Sequence, residues 1–177
     1  GFLGGQMDKK YMEEVNPKYS GLYGTYAVGI YNGPGYHNME LNGNKIFQGR
    51  MTLRPLPFDL PGFQLSYFFL NGKGNYNEDI DASPDWLINL LMASYENSFL
   101  TFTLQGFQGY GDRRGLFAYK NGKAWDYGGI SFFAEGKIPG GWKIISRCDY
   151  FDPNRDLSAD HYYRFIFGAG YDFGNRN

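Results

Sequence analysis

Eight stretches of this chain alternate apolar and polar residues, and the connections between them differ in length in a regular way. The stretch Lys45–Leu53 shows the alternation most clearly. Apolar Phe47 and Met51 take turns with polar Gln48 and Arg50 along it. Successive side chains of a β-strand point to opposite faces of the sheet. Each stretch therefore predicts a strand with one apolar face and one polar, partly charged face.

The predicted strands are Leu22–Tyr31, Lys45–Arg54, Gly62–Leu70, Trp86–Tyr95, Phe99–Phe107, Tyr127–Ile138, Trp142–Phe151 and Tyr162–Phe173. The fourth strand allows a second interpretation. Ser83-Pro84-Asp85 could cap a helix, and Trp86–Met92 is an apolar run whose periodicity does not distinguish helix from strand. Its length and its neighbours favour a strand.

The connections between predicted strands alternate between long and short. The long, Gly/Asn/Asp-rich ones are Asn32–Asn44, Asn71–Asp85, Gln108–Asp126 and Asp152–His161, and the short ones are Pro55–Pro61, Glu96–Ser98 and Pro139–Gly141. A transmembrane β-barrel has short turns at one rim and long loops at the other. The Greek-key connections of a soluble sandwich give no such order. We therefore predict an all-β, antiparallel up-and-down transmembrane β-barrel over residues 21–177, with residues 1–20 unassigned.

Composition restricts the possible partners. No run of about 18 apolar residues is present, so the sequence predicts no transmembrane helix, whereas a tilted barrel strand needs only about 9–11 residues. The net charge of −1 gives no reason to expect a nucleic-acid partner. Aromatic residues reach 20%, and several lie near predicted strand ends, where they would form interfacial girdles. These are Tyr31, Trp86, Tyr95, Tyr110, Trp125, Trp142, Tyr150 and Tyr162.

The predicted polar face carries the candidate functional residues. As pore-lining residues we propose Arg50, Arg54, Lys137, Lys143, Arg147, Arg164, Glu135 and Asp149. A charge that faces lipid near the bilayer midplane costs about 2–4 kcal/mol, so these side chains must face water or pair with one another. They would line an aqueous pore in a wide barrel, or form a packed ionic core in a narrow eight-stranded one. The excess of cations predicts a weak preference for anions.

Other sites have less support. His37 and His161 fall in loops without spaced partners, and no nucleophile or phosphate-binding motif is present. We therefore predict no enzymatic activity and no cofactor. Asp79, Asp81 and Asp85 could hold a hard cation such as calcium, although EF-hand spacing is missing and a solvated loop is the simpler interpretation.

Three segments resemble stretches of the phosphate-selective porin family of Gram-negative outer membranes: Tyr31–Asn38 (YNGPGYHN), Phe47–Leu56 (FQGRMTLRPL) and Ser146–Asp156 (SRCDYFDPNRD). The resemblance extends from about Tyr26 to Phe173, and it implies an outer-membrane channel for phosphate or other anions. It also implies a larger barrel, of about 16 strands, that often assembles as a trimer. Cys148 stands where an aromatic residue is usual in that family.

The leading hypothesis is a porin that lets small hydrophilic solutes, preferably anions, diffuse through the bacterial outer membrane. Its long loops would be extracellular and both chain ends periplasmic. The expected partners are the lipid bilayer, small anionic solutes and either a homotrimer or further barrel segments. A non-channel barrel for adhesion, anchoring or surface binding is the main alternative, and strand number would distinguish the two. An outer-membrane enzyme at the loop rim and a soluble lipocalin-like carrier are further alternatives.

Overall fold

The computed structural model describes residues 1–15, 21–33, 39 and 41–173 of the chain. It contains one short helix, α1 (Lys9–Glu14), and nine strands. The strands are β1 (Phe2–Leu3), β2 (Gly24–Asn32), β3 (Lys45–Leu53), β4 (Phe63–Lys73), β5 (Asp85–Glu96), β6 (Leu100–Tyr110), β7 (Asp126–Ile138), β8 (Trp142–Asp152) and β9 (Tyr162–Tyr171).

All nine strands belong to one antiparallel sheet, and they follow one another in chain order from β1 to β9. Each strand pairs with its predecessor and its successor, which is the simplest up-and-down topology. The sheet is not closed. In the described part of the chain, no strand pairs with the outer edge of β9, and β1 covers only Gly24 and Thr25 of β2.

The register of the strands separates two faces along the whole sheet. Directly paired residues share a face, so one row of pairs runs from Thr25 through Thr52 and Ser66 to Arg164. We call the face that carries this row the polar face and the opposite one the apolar face. The row itself, here named the central row, consists of Thr25, Thr52, Ser66, Met92, Gln105, Ser131, Asp149 and Arg164.

The apolar face exposes large hydrophobic side chains on every strand from β2 to β9. They are Tyr26, Val28, Ile30, Phe47, Met51, Leu53, Leu65, Tyr67, Leu91, Leu100, Leu104, Tyr110, Ile130, Phe132, Ile138, Trp142, Ile144, Tyr163, Phe165, Phe167 and Tyr171. The polar Asn89 on this face accepts a hydrogen bond from the Tyr67 hydroxyl at 2.6 Å. A patch of this extent is far larger than a soluble monomer normally exposes.

The polar face is the more enclosed of the two. Its buried side chains include Thr52, Gln64, Ser66, Ser131 and Asp149, together with apolar Ile46 and Leu70. This distribution is the reverse of a soluble protein, in which polar groups face water and apolar ones are buried.

The eight predicted strands are confirmed, including the ambiguous fourth one, which is strand β5 and not a helix. Two elements, β1 and α1, lie in the segment that the sequence left unassigned. The alternation of loop lengths is weaker than predicted, because residues 54–62 and 153–161 are connections of equal length. His37 and most of the segment Tyr31–Asn38 lie outside the described residues. No helix of the described chain is long and apolar enough to cross a membrane.

Candidate pore-lining face

The eight residues predicted to line a pore all lie on the polar face or at its end, as the strand register requires. Arg50 pairs with Ala27 and Phe68 on the neighbouring strands, and its side chain is exposed. Glu135 pairs with Thr101 and Ile145 and is half-buried. The other six enter ion pairs or hydrogen bonds, which reduce the charge that they present without a partner.

Asp149 forms the most connected ionic group on this face, and we call it with its partners the Asp149 cluster. Its Oδ1 accepts hydrogen bonds from Ser131 Oγ at 2.5 Å and Arg147 Nε at 2.8 Å. Its Oδ2 accepts from Arg164 Nε at 2.8 Å, and Arg164 Nη2 lies 2.7 Å away. Asp149 is 7% exposed, and both of its carboxylate oxygens are hydrogen-bonded. Two guanidiniums share one acid, so the cluster keeps one net positive charge.

The two lysines of the set are neutralised near the short-turn rim. Lys137 Nζ lies 2.9 Å from Glu96 Oε1 and donates to the Asn97 carbonyl at 3.1 Å. Lys143 Nζ lies 3.7 Å from Asp172 Oδ2 in a more exposed pair. Each pair has no net charge, so the lysines contribute less positive potential than their number suggests.

Arg54 has a structural role that its place in the pattern does not reveal. It is 2% exposed, and its Nη1 donates to the Gly21 carbonyl at 2.5 Å. Its guanidinium also lies over the Tyr11 ring of α1, 5.8 Å from the centroid. A cation held by a backbone carbonyl and an aromatic face is stabilised where it stands. Arg54 therefore anchors the segment that contains α1 and does not face solvent.

Aromatic rings form a second row on the polar face, displaced from the central row toward the long loops. We call Phe68, Phe107, Phe151 and Tyr162 the ring row; they share it with Leu90 and Gly129. The rings of Phe107 and Phe151 stack at 5.9 Å with 26° between their planes. Gly129 lies between them in register, and a Cβ there would meet Phe107 ring atoms at 3.0 Å. The glycine thus makes the space in which the rings meet.

Replacing Gly129 with alanine should destabilise the folded protein by about 1–3 kcal/mol, because the added methyl also meets the Tyr150 carbonyl oxygen at 2.5 Å, which is backbone. Gly106→Ala on the neighbouring strand is the matched control. Its new methyl would have 4.0 Å to the nearest atom, and we expect no loss of stability. Urea denaturation midpoints of the detergent-folded variants measure both. Equal midpoints would contradict the close packing of Phe107 over Gly129.

The four long connections contact one another above the sheet. Asn42 Nδ2 donates to the Gly74 carbonyl at 2.7 Å, and Asn77 Nδ2 donates to the Gly115 carbonyl at 2.9 Å. The Tyr119 hydroxyl donates to Asn154 Oδ1 at 2.9 Å. The loops thus form one continuous layer, which we call the loop layer.

One ion pair links two loops of this layer. Lys123 Nζ lies 3.1 Å from Asp156 Oδ2, and the hydrogen bond between them raises the pKa of the Lys123 ammonium and lowers the pKa of the Asp156 carboxyl. Both groups therefore stay charged at neutral pH, which keeps the link between the loops intact.

The carboxylates of the acidic loop, predicted as a candidate cation site, do not point toward a common centre. Asp81 accepts a hydrogen bond from the Tyr76 hydroxyl, which raises the pKa of that phenol, and Asp85 pairs with Lys73 at 3.1 Å. Within the described residues, no three His, Cys, Asp or Glu side chains are grouped to hold a metal ion. Asp79, Asp81 and Asp85 thus do not form a site together.

The predicted aromatic girdle is only partly on the correct face. Tyr95, Tyr110, Trp142 and Tyr150 lie on the apolar face, where interfacial rings would be. Tyr31, Trp86 and Tyr162 lie on the polar face, opposite the face on which the girdle is predicted. Trp125 lies in a loop and stacks on Phe117 at 5.4 Å.

No protein-family model matches the chain, and no curated protein or solved structure does either. The function must therefore be inferred from the two faces of the sheet.

Proposed function

We propose that this chain forms part of the wall of an outer-membrane β-barrel porin, a channel through which small hydrophilic solutes diffuse with a weak preference for anions. One observation carries the proposal. An exposed apolar face runs unbroken across eight strands, and the face behind it is polar, charged and more enclosed. Lipid outside and water inside is the environment that suits this arrangement.

The open edges of the sheet support a larger assembly. Backbone groups at the outer edge of β9 and along most of β2 have no strand partner in the described chain, and such groups are costly in a bilayer. A membrane barrel must therefore add strands at both edges, from further barrel segments or from other copies. Because β2 and β9 run in opposite directions, added strands can keep the antiparallel order that barrels have.

The soluble lipocalin-like alternative fits the structure poorly. Such a carrier would enclose an apolar ligand with apolar side chains. Here the enclosed side chains near the centre of the sheet are Thr52, Ser66, Ser131 and Asp149, whereas Phe132 and Phe167 are exposed on the other face.

The ion pairs keep the proposed anion preference weak. Lys137 and Lys143 are neutralised, and Arg54 is buried. The positive charge that remains comes from Arg50 and from the Asp149 cluster, and Glu135 partly offsets it. Cationic side chains that face a pore favour anions, so this small excess predicts a permeability ratio moderately above one for chloride over potassium.

Conductance in planar bilayers tests the porin proposal. The full-length native polypeptide, shown to be folded by heat-modifiable gel mobility, should open steps whose reversal potential in a KCl gradient has the sign of anion selectivity. Arg50→Gln should move that potential toward zero, because it removes an exposed cation from the polar face. Folded protein that gives no conductance in several salts would contradict the channel.

The loop layer favours a second candidate, a non-channel barrel whose loops bind a surface. Its loops contact one another through side chains, and these contacts hold them in a defined conformation, as a recognition surface requires. Cell-surface binding by folded, non-conducting protein would support this candidate. Lys123→Gln, which breaks a link between two loops, should then weaken the binding.

A further inference from the structure

We propose that the polar face contains a binding subsite for ring-bearing carboxylates, at the place where the ring row meets the Asp149 cluster. The inference rests on the proposed channel function, because the subsite would lie on the solute path and would determine which anions the channel favours. Four features of the structure carry it.

The first feature is an aromatic platform. Phe107 and Phe151 stack at 5.9 Å, and Tyr162 meets Phe151 edge-on at 5.5 Å. Tyr162 remains 52% exposed, and the two phenylalanines are half-buried. Three neighbouring rings on a water-facing surface suit the planar or C–H face of another ring. Packing over Gly129 explains the Phe107 and Phe151 rings, but it does not explain why a third ring, Tyr162, lies exposed beside them.

The second feature is a pair of incompletely used guanidiniums. Asp149 binds Arg147 through Nε, and Arg164 through Nε and Nη2. The two arginine side chains are still 40% and 56% exposed. A guanidinium has five N–H donors, so both arginines can still donate to a carboxylate of a solute.

The third feature is the spacing of these two groups. Phe151 and Asp149 are two positions apart on β8, and Tyr162 and Arg164 are two positions apart on β9. Two residues along a strand span about 7 Å, which is the reach of a six-membered ring with a carboxylate substituent. A cavity of about 220 Å³ lies between the two groups and is lined by Phe107, Phe151, Tyr162, Arg147, Asp149 and Arg164.

The fourth feature is the character of the accessible polar atoms. Two acceptors at the site, Ser131 and Asp149, are buried and bonded to each other, whereas the Gln105 amide and the Tyr162 hydroxyl also line the cavity and can both donate and accept. The charged groups that remain accessible are the guanidinium donors of Arg147 and Arg164. A carboxylate needs donors alone and is attracted by the net positive charge of the Asp149 cluster, whereas a neutral sugar gains nothing from that charge. The site therefore favours an anionic ring over a neutral one.

Titration calorimetry on detergent-folded native protein tests the subsite without requiring conductance. The probes are benzoate and glucuronate, with acetate as the anion without a ring and glucose as the ring without a charge. At least one of the two ring carboxylates should bind about tenfold or more tightly than acetate and glucose. Binding of benzoate alone would identify an aromatic source, and binding of glucuronate alone a saccharide source.

Two variants locate the binding. Phe151→Leu should weaken it about 3- to 10-fold, and Phe132→Leu, the same change on the apolar face, should leave it unchanged. Arg164→Gln should abolish most of the preference for a charged ring, and Lys120→Gln, which removes an exposed loop cation, should preserve it. If Phe151→Leu does not fold, Tyr162→Leu on the exposed edge strand replaces it.

Acetate that binds as tightly as the ring carboxylates, or ring variants that bind like the native protein, would overturn the subsite. Equal losses in Arg164→Gln and Lys120→Gln would also overturn it, since they would reveal a general charge effect. Specific binding by protein that does not conduct would refute the channel and leave the subsite standing. Conduction without ring-dependent binding would refute the subsite and leave the channel standing.

Discussion

Replacing Leu104 with arginine should prevent most of the protein from folding into phospholipid vesicles. Leu104 lies near the middle of β6 on the apolar face, paired with Ala93 and Phe132, and is about half exposed. An arginine that faces lipid near the bilayer midplane costs about 2–4 kcal/mol. Because each 1.4 kcal/mol changes the folding equilibrium about tenfold, the folded fraction should fall steeply.

Thr103→Arg is the matched control for this experiment. Thr103 precedes Leu104 on the same strand but lies on the polar face, opposite Ser94 and Phe133. A cation there can face water, so we expect folding close to that of the native chain. Heat-modifiable gel mobility after refolding gives the folded fraction of both variants. Equal losses of folded fraction would show that the apolar face does not meet lipid. A higher folded fraction of Leu104→Arg than of the native chain in aqueous buffer without lipid would indicate a soluble protein.

The two faces could be predicted from the sequence because the side-chain period of a strand is a local property. Gln48, Arg50 and Thr52 fall on one side of β3 whatever the rest of the chain does. The same rule could have corrected the predicted girdle. Tyr162 lies two positions from Arg164, so both side chains must share a face. The position of Tyr162 near a strand end predicts a ring in the girdle, whereas its parity places it on the polar face.

The partners of the charged residues could not be predicted, because they depend on register between strands. Asp149 receives hydrogen bonds from Ser131 on β7 and Arg164 on β9, and strand period alone does not determine that these residues come opposite it. Only Arg147, two positions away on β8 itself, shares the face of Asp149 by parity. Arg54 illustrates a second limit. It has the same parity as Arg50, yet it is buried, with its guanidinium over the ring of Tyr11. Tyr11 belongs to a segment that carries no strand pattern, so the sequence gives no reason to expect this contact.

The ring row also depends on register between strands. Phe107, Phe151 and Tyr162 all fall within predicted strands, but the side-chain period of each strand does not determine which residues of different strands lie side by side. The sequence also predicts that the fifth strand ends at Phe107, whereas β6 continues to Tyr110. The longer strand brings Gly109 beneath the Tyr127 ring, just as Gly129 lies beneath the Phe107 ring. Aromatic residues opposite glycines are a known way to stabilise neighbouring strands. This pairing becomes recognisable only when the register is known, since the partners are about 20 residues apart.

Asparagine at position 149 should produce the largest change on the polar face. Asp149→Asn removes the only acid that Arg147 and Arg164 are seen to share, so two guanidiniums remain close together without a counter-charge. Hydrogen bonds to charged groups contribute about 1.5–3 kcal/mol each when buried. Since both arginines are partly exposed and screened, we expect a total loss of about 2 kcal/mol, measured from urea denaturation of detergent-folded protein.

The same substitution should make the channel more selective for anions. The Asp149 cluster changes from one net positive charge to two, and cations that line a pore favour anions. The reversal potential in a KCl gradient should therefore move further in the anion direction. Asp85→Asn is the control, because it removes an equal charge from an exposed pair with Lys73. Exposed ion pairs contribute at most about 1 kcal/mol to stability, and this one lies at the loop end of β5. We therefore expect Asp85→Asn to change the stability and the reversal potential less than Asp149→Asn does.

A double variant distinguishes charge repulsion from lost packing as the cause of the instability of Asp149→Asn. If repulsion between the two guanidiniums causes the instability, adding Arg164→Gln to Asp149→Asn should restore part of the lost stability and return the reversal potential toward the native value. The sum of the single effects would then exceed the effect of the pair. If the two losses simply add, Asp149 acts by filling space between Ser131 and Arg147, and the Asp149 cluster does not determine the charge of the solute path.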